Sequence, residues 1–134
     1  MTYYYLASPY TRYPHGQVAA WKLACKENAR LIKAGVRAYS PIAHTFAVEI
    51  NSDGIFDGSL DEQAWRYWMD FDHTMMEPAI GIIFLKAEGW EISKGMKEEL
   101  ETFKAAGKPV IYMTPGIIPF ELLPIKMEDA VVES

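Results

Sequence analysis

The segment Ala79 to Leu85, reading AIGIIFL, constrains the fold of this chain more than any other. It is too short to cross a bilayer as a helix, which takes about 20 apolar residues. It is apolar at every position rather than at alternate ones, so a strand built from it must be covered on both faces. A central parallel strand with helices packed on either side meets that requirement. Three other short apolar stretches fit beside it. Thr2 to Ala7 stops at Ser8-Pro9, Val36 to Tyr39 stops at Ser40-Pro41, and Pro109 to Met113 runs into Thr114-Pro115-Gly116. Proline cannot continue a ladder, so each stretch reads as a strand with a sharp end.

Between the strands the apolar period changes to that of a helix. Residues 16–34 carry it and stop at Gly35. Leu60 to Met76 carry it again, with Ser59 as N-cap and Pro78 beyond the end; Ile92 to Ala106 do so before Gly107. Residues 42–60 contain Asn51-Ser52-Asp53-Gly54 and Asp57-Gly58-Ser59, and read as a long loop with a helical turn near Thr45 to Glu49. The order β-α-β-loop-α-β-α-β predicts an α/β fold: a parallel sheet of about four to five strands with helices on both faces, flavodoxin- or Rossmann-like. The 134 residues suit one domain, with residues 114–134 as a tail packed on the body or on another subunit.

Composition narrows the partners. A net charge of −5 argues against nucleic acid polymers and anionic membranes, but a few backbone amides can still hold a small phosphate. The one cysteine, Cys25, forms no internal disulfide and suits a reducing cytoplasm; it lies in an apolar-periodic helix and reads as core filler. The start MTYYYLASPY has neither a basic region nor a long apolar run, so no signal peptide or membrane span is expected. His15, His44 and His73 lack partners at metal-ligand spacing, so no metal and no other cofactor is predicted. No P-loop, G-x-G-x-x-G or G-x-S-x-G motif occurs, which argues against an ATPase, a dinucleotide dehydrogenase and a serine hydrolase of the elbow type.

On such a sheet ligands bind beyond the carboxyl ends of the strands, where the loops 8–16, 40–59 and 86–93 gather. The helix after the last of these carries four glutamates between Glu91 and Glu101. Glu91, Glu98 and Glu101 have Lys94, Lys97 or Lys104 three or four residues away and read as solvated ion pairs. Glu99 instead shares its face with Gly95, Met96, Thr102 and Phe103 and should point toward the sheet or a pocket. A carboxylate there is costly unless it is used or paired. The helix dipole would keep it ionised, as a nucleophile requires. Ser93 can cap that helix or bind a phosphate or hydroxyl, and Gly95 lets a sugar approach the backbone. Within WMDFDH, Asp72 lies one turn from both Trp68 and Met76 and can border a pocket as an acid, with Asp70 as its competitor. Tyr5 and Tyr10 read either as core tyrosines of a strand and its turn, or as a hydrogen-bond donor to the nucleophile and a stacking surface for a planar ligand. His44 reads as a polar rim residue.

These residues resemble the nucleoside 2-deoxyribosyltransferase family, which includes N-glycosidases of deoxynucleoside 5′-monophosphates. YLASPY (Tyr5 to Tyr10) is similar to its opening motif, usually YLAGP. Asp72 matches an aspartate before the third strand. Ser93-x-Gly95-x-x-x-Glu99 with Ala105-x-Gly107-Lys108-Pro109-Val110 resembles the nucleophile helix and the next strand. The resemblance implies Glu99 as nucleophile, Asp72 as acid or substrate-binding residue and Tyr5 as the group orienting Glu99. It also implies substrate contacts from Ser8, Pro9, Tyr10, His44, Trp90, Ser93 and Gly95, and a homo-oligomer in which a neighbour helps to close the site. The implied substrate is a small nucleoside or nucleotide. Departures are Ser8 for glycine, Ile80 where many members carry aspartate, and no aspartate in the segment Ile92 to Met96. A binding or sensing module without catalysis, and a scaffold acting through protein contacts, are the two alternatives.

Overall fold

A computed structural model describes residues 2–56 and 62–123. Its elements are β1 (Tyr4–Ala7), α1 (Gln17–Lys33), β2 (Ala38–Tyr39), α2 (Pro41–Ile50), α3 (Glu62–Met76), β3 (Gly81–Leu85), α4 (Lys94–Ala105) and β4 (Val110–Met113). Short 3-10 turns lie at Trp90–Ile92 and Phe120–Leu122. The strands form one four-stranded sheet in the order β2-β1-β3-β4. Every pairing is parallel, with Tyr5 opposite both Tyr39 and Ile82. The fold is therefore the α/β, flavodoxin- or Rossmann-like arrangement that the alternation predicts. From β1 the chain first steps out to β2, then crosses back past β1 to β3 and β4. That reversal makes a switch point between β1 and β3, and on such sheets ligands bind beyond the carboxyl ends of the strands.

The period-two alternation of strand side chains sorts the core into two layers. Leu6, Ile83, Leu85, Ile111 and Met113 point to one face and pack with Leu31 of α1, Val36 and Leu122. Tyr5, Ala7, Ile82 and Phe84 point to the other face, against Met76 of α3 and Met96 and Phe103 of α4. All five residues of β3 are buried, as the apolar run requires. At its start Gly81 allows the chain past Pro109, because a Cβ there would lie 2.9 Å from the Pro109 carbonyl oxygen.

Several local expectations are corrected. Residues 41–50 are a ten-residue helix, not a loop with one turn. Ser40 caps it by accepting from the Ala43 amide at 3.1 Å, and Pro41 opens it with a backbone angle already suited to a helix. Ile42, Thr45, Val48 and Ile50 lower its intrinsic propensity, so its signal in the sequence is weak. Packing compensates: Phe46 lies against Trp21 of α1, whose indole N–H donates to the Ala43 carbonyl at 3.2 Å. The last helix starts at Lys94 rather than Ile92, because Ser93 caps it and a 3-10 turn precedes it. The expected Ser59 cap of α3 lies outside the described residues. Cys25 is half-buried rather than in the core. None of the lysine pairs expected for Glu91, Glu98 and Glu101 closes among the described residues. Glu98 pairs instead with His73 at 3.1 Å, linking α4 to α3. The start of the tail packs on the α1 face through Leu122. Among the described residues no helix is long and apolar enough to cross a membrane.

Candidate active site

Tyr5 lies in the middle of β1 and is fully buried. The strand alternation sends its ring to the α3–α4 face, where it packs against Phe103 with centroids 5.7 Å apart. Its hydroxyl donates to Glu99 Oε2 at 2.7 Å. Glu99 is on the inward face of α4, between Met96 and Phe103, and is 7% exposed. Asp72 approaches from α3, is 8% exposed, and its Oδ1 has no hydrogen-bond partner among the described residues. No cation pairs with either carboxyl group among the described residues. The nearest positive influence is His73, whose charge favours the ionised Asp72.

Burial dominates the ionisation of this group. It lifts Glu99 to about 8 against the relief of the Tyr5 hydrogen bond, and the neighbouring Asp72 and Glu98 charges push the same way as burial. It lifts Asp72 to about 7. Burial and then the Glu99 charge also raise the Tyr5 hydroxyl, which stays a donor. The helix dipole does little to hold Glu99 ionised, and burial works against it. Glu99 is the sixth residue of α4, beyond the first turn where the dipole acts, and desolvation outweighs it. Two carboxyl groups this close to neutrality can hold one proton between them.

Around this centre lie groups that the sequence reading does not single out. Tyr39, at the end of β2, stands 6.1 Å from Tyr5 between ring centroids, and its hydroxyl is buried without a partner among the described residues. Burial, then the Asp72 charge, raises its pKa. Glu49 of α2 accepts from the Trp68 indole at 2.8 Å and, more weakly, from the Tyr10 hydroxyl at 3.5 Å, tying the first loop and α2 to α3. The signal for Tyr39 is a repeated pattern. Both β1 and β2 end in Ser-Pro, so Tyr39 lies at the ligand end of its strand.

Residues 2–115 match the family described as a domain of unknown function (DUF1937). The chain belongs to that family. The match spans every residue of the cluster. No curated protein matches the chain.

The remaining predicted residues of this DUF1937 protein occupy the rim or the supporting shell. Ser8 is buried and its Oγ has no partner among the described residues, while Pro9 is fully buried and so packs rather than lines a surface. Tyr10 is half-buried, with its ring edge-on to Phe46. His44 is exposed and stacks on Phe71, at 5.4 Å and 18°. Trp90 is half-buried, edge-on to Phe84, with Lys86 Nζ 5.4 Å from its ring centre. The Ser93 hydroxyl is engaged in capping, accepting from the Met96 amide at 3.2 Å. Gly95 faces open space on the side where a Cβ would stand. Asp70 is exposed, whereas Asp72 is buried. Ile80 lies just before β3, at the amino end of the sheet, so the residue at that position does not enter the cluster.

The loops above the cluster are joined. Gly89 has φ +90°, and a Cβ on it would lie 2.7 Å from the Arg12 carbonyl oxygen. Beside it His15 Nε2 meets Glu88 Oε1 at 2.7 Å. The first and third loops thus close over the ends of β1 and β3. Two surface depressions of about 420 and 520 Å³ touch the periphery of this region, the first lined in part by Tyr39 and the second by His44, and neither is lined by Tyr5, Asp72 or Glu99. Among the described residues no group of three His, Cys, Asp or Glu side chains is arranged to hold a metal.

Proposed function

We propose that this protein cleaves or transfers the N-glycosidic bond of a nucleoside or nucleoside 5′-monophosphate, with Glu99 as the nucleophile. The observation that carries the reading is the buried contact of the Tyr5 hydroxyl with Glu99 Oε2 at 2.7 Å, beside an Asp72 that has no cationic partner among the described residues. Taken singly, Asp72 releases its proton before Glu99. The two titrate as a coupled pair that shares one proton, and the reaction proceeds from the form in which Glu99, held by the Tyr5 hydroxyl, carries the charge. In the active form Glu99 is the anion and Asp72 keeps the proton.

The chemistry then balances. A Glu99 oxygen attacks C1′, the bond from C1′ to the base nitrogen breaks, and its electron pair leaves with the base. Asp72 delivers its proton to that base. In the second step water attacks C1′ of the glycosyl-enzyme, Asp72 takes the water proton and Glu99 departs. A second base in place of water gives transfer rather than hydrolysis. The resemblance of Tyr5–Tyr10 and Ser93–Glu99 to nucleoside 2-deoxyribosyltransferases points the same way. The reading takes the protein to be cytoplasmic and homo-oligomeric, and sedimentation of the purified chain checks the latter.

The test is chromatography of free base after incubation with deoxy- and ribonucleosides and their 5′-monophosphates, with and without a second base. Release that is lost in Glu99→Ala supports the reading, and dependence on the second base makes the protein a transferase. Binding of nucleosides with no release replaces it with a binding module. No binding and no release refute both.

A further inference from the structure

Tyr39 carries the least expected chemistry of the molecule. Its ring contacts Tyr3, Tyr5 and His44, with centroids 6.2, 6.1 and 6.4 Å apart. The neighbouring Tyr3 hydroxyl donates to the Met75 carbonyl, but the Tyr39 hydroxyl has no partner among the described residues although it is buried. Asp72 Oδ1 is in the same condition, on a side chain 8% exposed. Tyr39 stands against Tyr5, whose hydroxyl holds Glu99, and against His44, which stacks on Phe71, the residue before Asp72; the Asp72 charge also raises the Tyr39 pKa. Buried polar atoms nearly always have partners, and two without any, flanking the same ring cluster, mark a place for polar atoms from a ligand. On its far side Tyr39 adjoins His44, which stacks on Phe71, and Trp68 stands edge-on to both. These rings suit a planar heterocycle rather than a sugar.

We propose that Tyr39 binds the leaving base: its hydroxyl donates to a carbonyl oxygen or ring nitrogen of the heterocycle while Asp72 protonates the departing nitrogen. The inference rests on the glycosidase reading of the Glu99 site. It makes Tyr39 and Asp72 a leaving-group pair, distinct from Tyr5 and Glu99, which act on the sugar. Tyr39 remains a neutral donor throughout the working pH range, so it assists without titrating.

The experiment compares two substrates in wild type, Tyr39→Phe, Asp72→Asn and Glu99→Ala. One is the best nucleoside from the base-release panel. The other is the 4-nitrophenyl glycoside of the same sugar, whose leaving group departs as a stable anion and needs neither proton nor donor. Tyr39→Phe keeps the ring contacts and removes only the hydroxyl. It should lower kcat/KM on the nucleoside by about tenfold, the worth of one neutral hydrogen bond. On the nitrophenyl glycoside the loss should be under about twofold. Asp72→Asn should show the same contrast more strongly, and Glu99→Ala should be inactive on both. If wild type acts on both substrates and Tyr39→Phe loses the same factor on each, or none on either, the leaving-group role is wrong and the glycosidase reading survives. If wild type acts on neither, the glycosidase reading fails and this inference falls with it. Thermal melting of Tyr39→Phe close to wild type shows that the contrast comes from the site rather than from the fold.

Discussion

Among the described residues each face of the sheet buries one glutamate, and the two are treated in opposite ways. On the α1 face Glu27 is 2% exposed, yet it is fully engaged. Arg30 Nε lies 3.0 Å from its Oε1, and the Gly116 amide donates to the same oxygen at 3.0 Å. It pins the turn after β4 to α1. On the α3–α4 face Glu99 is equally hidden but has only a tyrosine hydroxyl, with a second carboxyl group for a neighbour. The first arrangement compensates a buried charge and holds the fold together. The second leaves the charge poorly compensated, which lowers stability and raises reactivity. A buried carboxylate alone says little about function; what surrounds it decides.

The comparison can be broken most severely at Glu99. Glu99→Gln should reduce base release by about a thousandfold or more, as expected when a covalent nucleophile is removed. The same variant should fold at least as stably as wild type at pH 8. In the folded protein Glu99 and Asp72 keep their protons up to about 8 and about 7, whereas their ordinary values are 4.5 and 3.8. The folded state therefore binds more protons over that interval, and wild-type stability is full below pH about 4 and falls as pH rises toward 8. Urea denaturation across this range should show a shallower fall in Glu99→Gln. A wild-type stability that rises with pH over this range would mean that both carboxyl groups are compensated in a way the structure does not contain.

Glu27→Gln should do the reverse. Stability should drop by about 1 kcal/mol, because glutamine keeps one carbonyl oxygen for the Gly116 amide but gives up the charge and the second oxygen that face Arg30. The released Arg30 side chain is 36% exposed and can turn to water, which limits the loss. Base release should stay near wild type. Equal damage to activity would join the two faces into one functional unit.

Tyr5→Phe sharpens the contrast from within the site. Removing the hydroxyl deprives Glu99 of its one stabilising donor, so the acid limb of the kcat/KM profile should move to higher pH. Activity at neutral pH should fall about tenfold. The smallest effect is expected at the surface. His73→Ala breaks an ion pair whose side chains are 44% and 40% exposed, and should cost under about 0.5 kcal/mol by thermal melting.

Much of this architecture is legible before any tertiary contact is known. The apolar run of β3, the strand ends at Ser-Pro and the helical periods of α1, α3 and α4 are local signals, and they specify the order of elements and the parallel sheet. The inward face of Glu99 is also local, since its helical neighbours are Gly95, Met96 and Phe103. Helix α2 is hidden because β-branched residues weaken its propensity while a cap and packing on Trp21 restore it. Glu27, with Arg30 three residues on, reads like any surface pair. Its burial depends on a turn 89 residues away.

The sequence by itself thus determines the four strands, three of the four helices and the inward face of Glu99, because those properties repeat over a few residues. The tertiary structure alone decides which carboxylate is compensated and which is not. The Tyr5–Glu99 hydrogen bond spans 94 residues, and the approach of Tyr39 to Tyr5 depends on β2 pairing beside β1. Desolvation, which sets the protonation of Asp72 and Glu99, is a property of the closed core and has no counterpart in the unfolded chain.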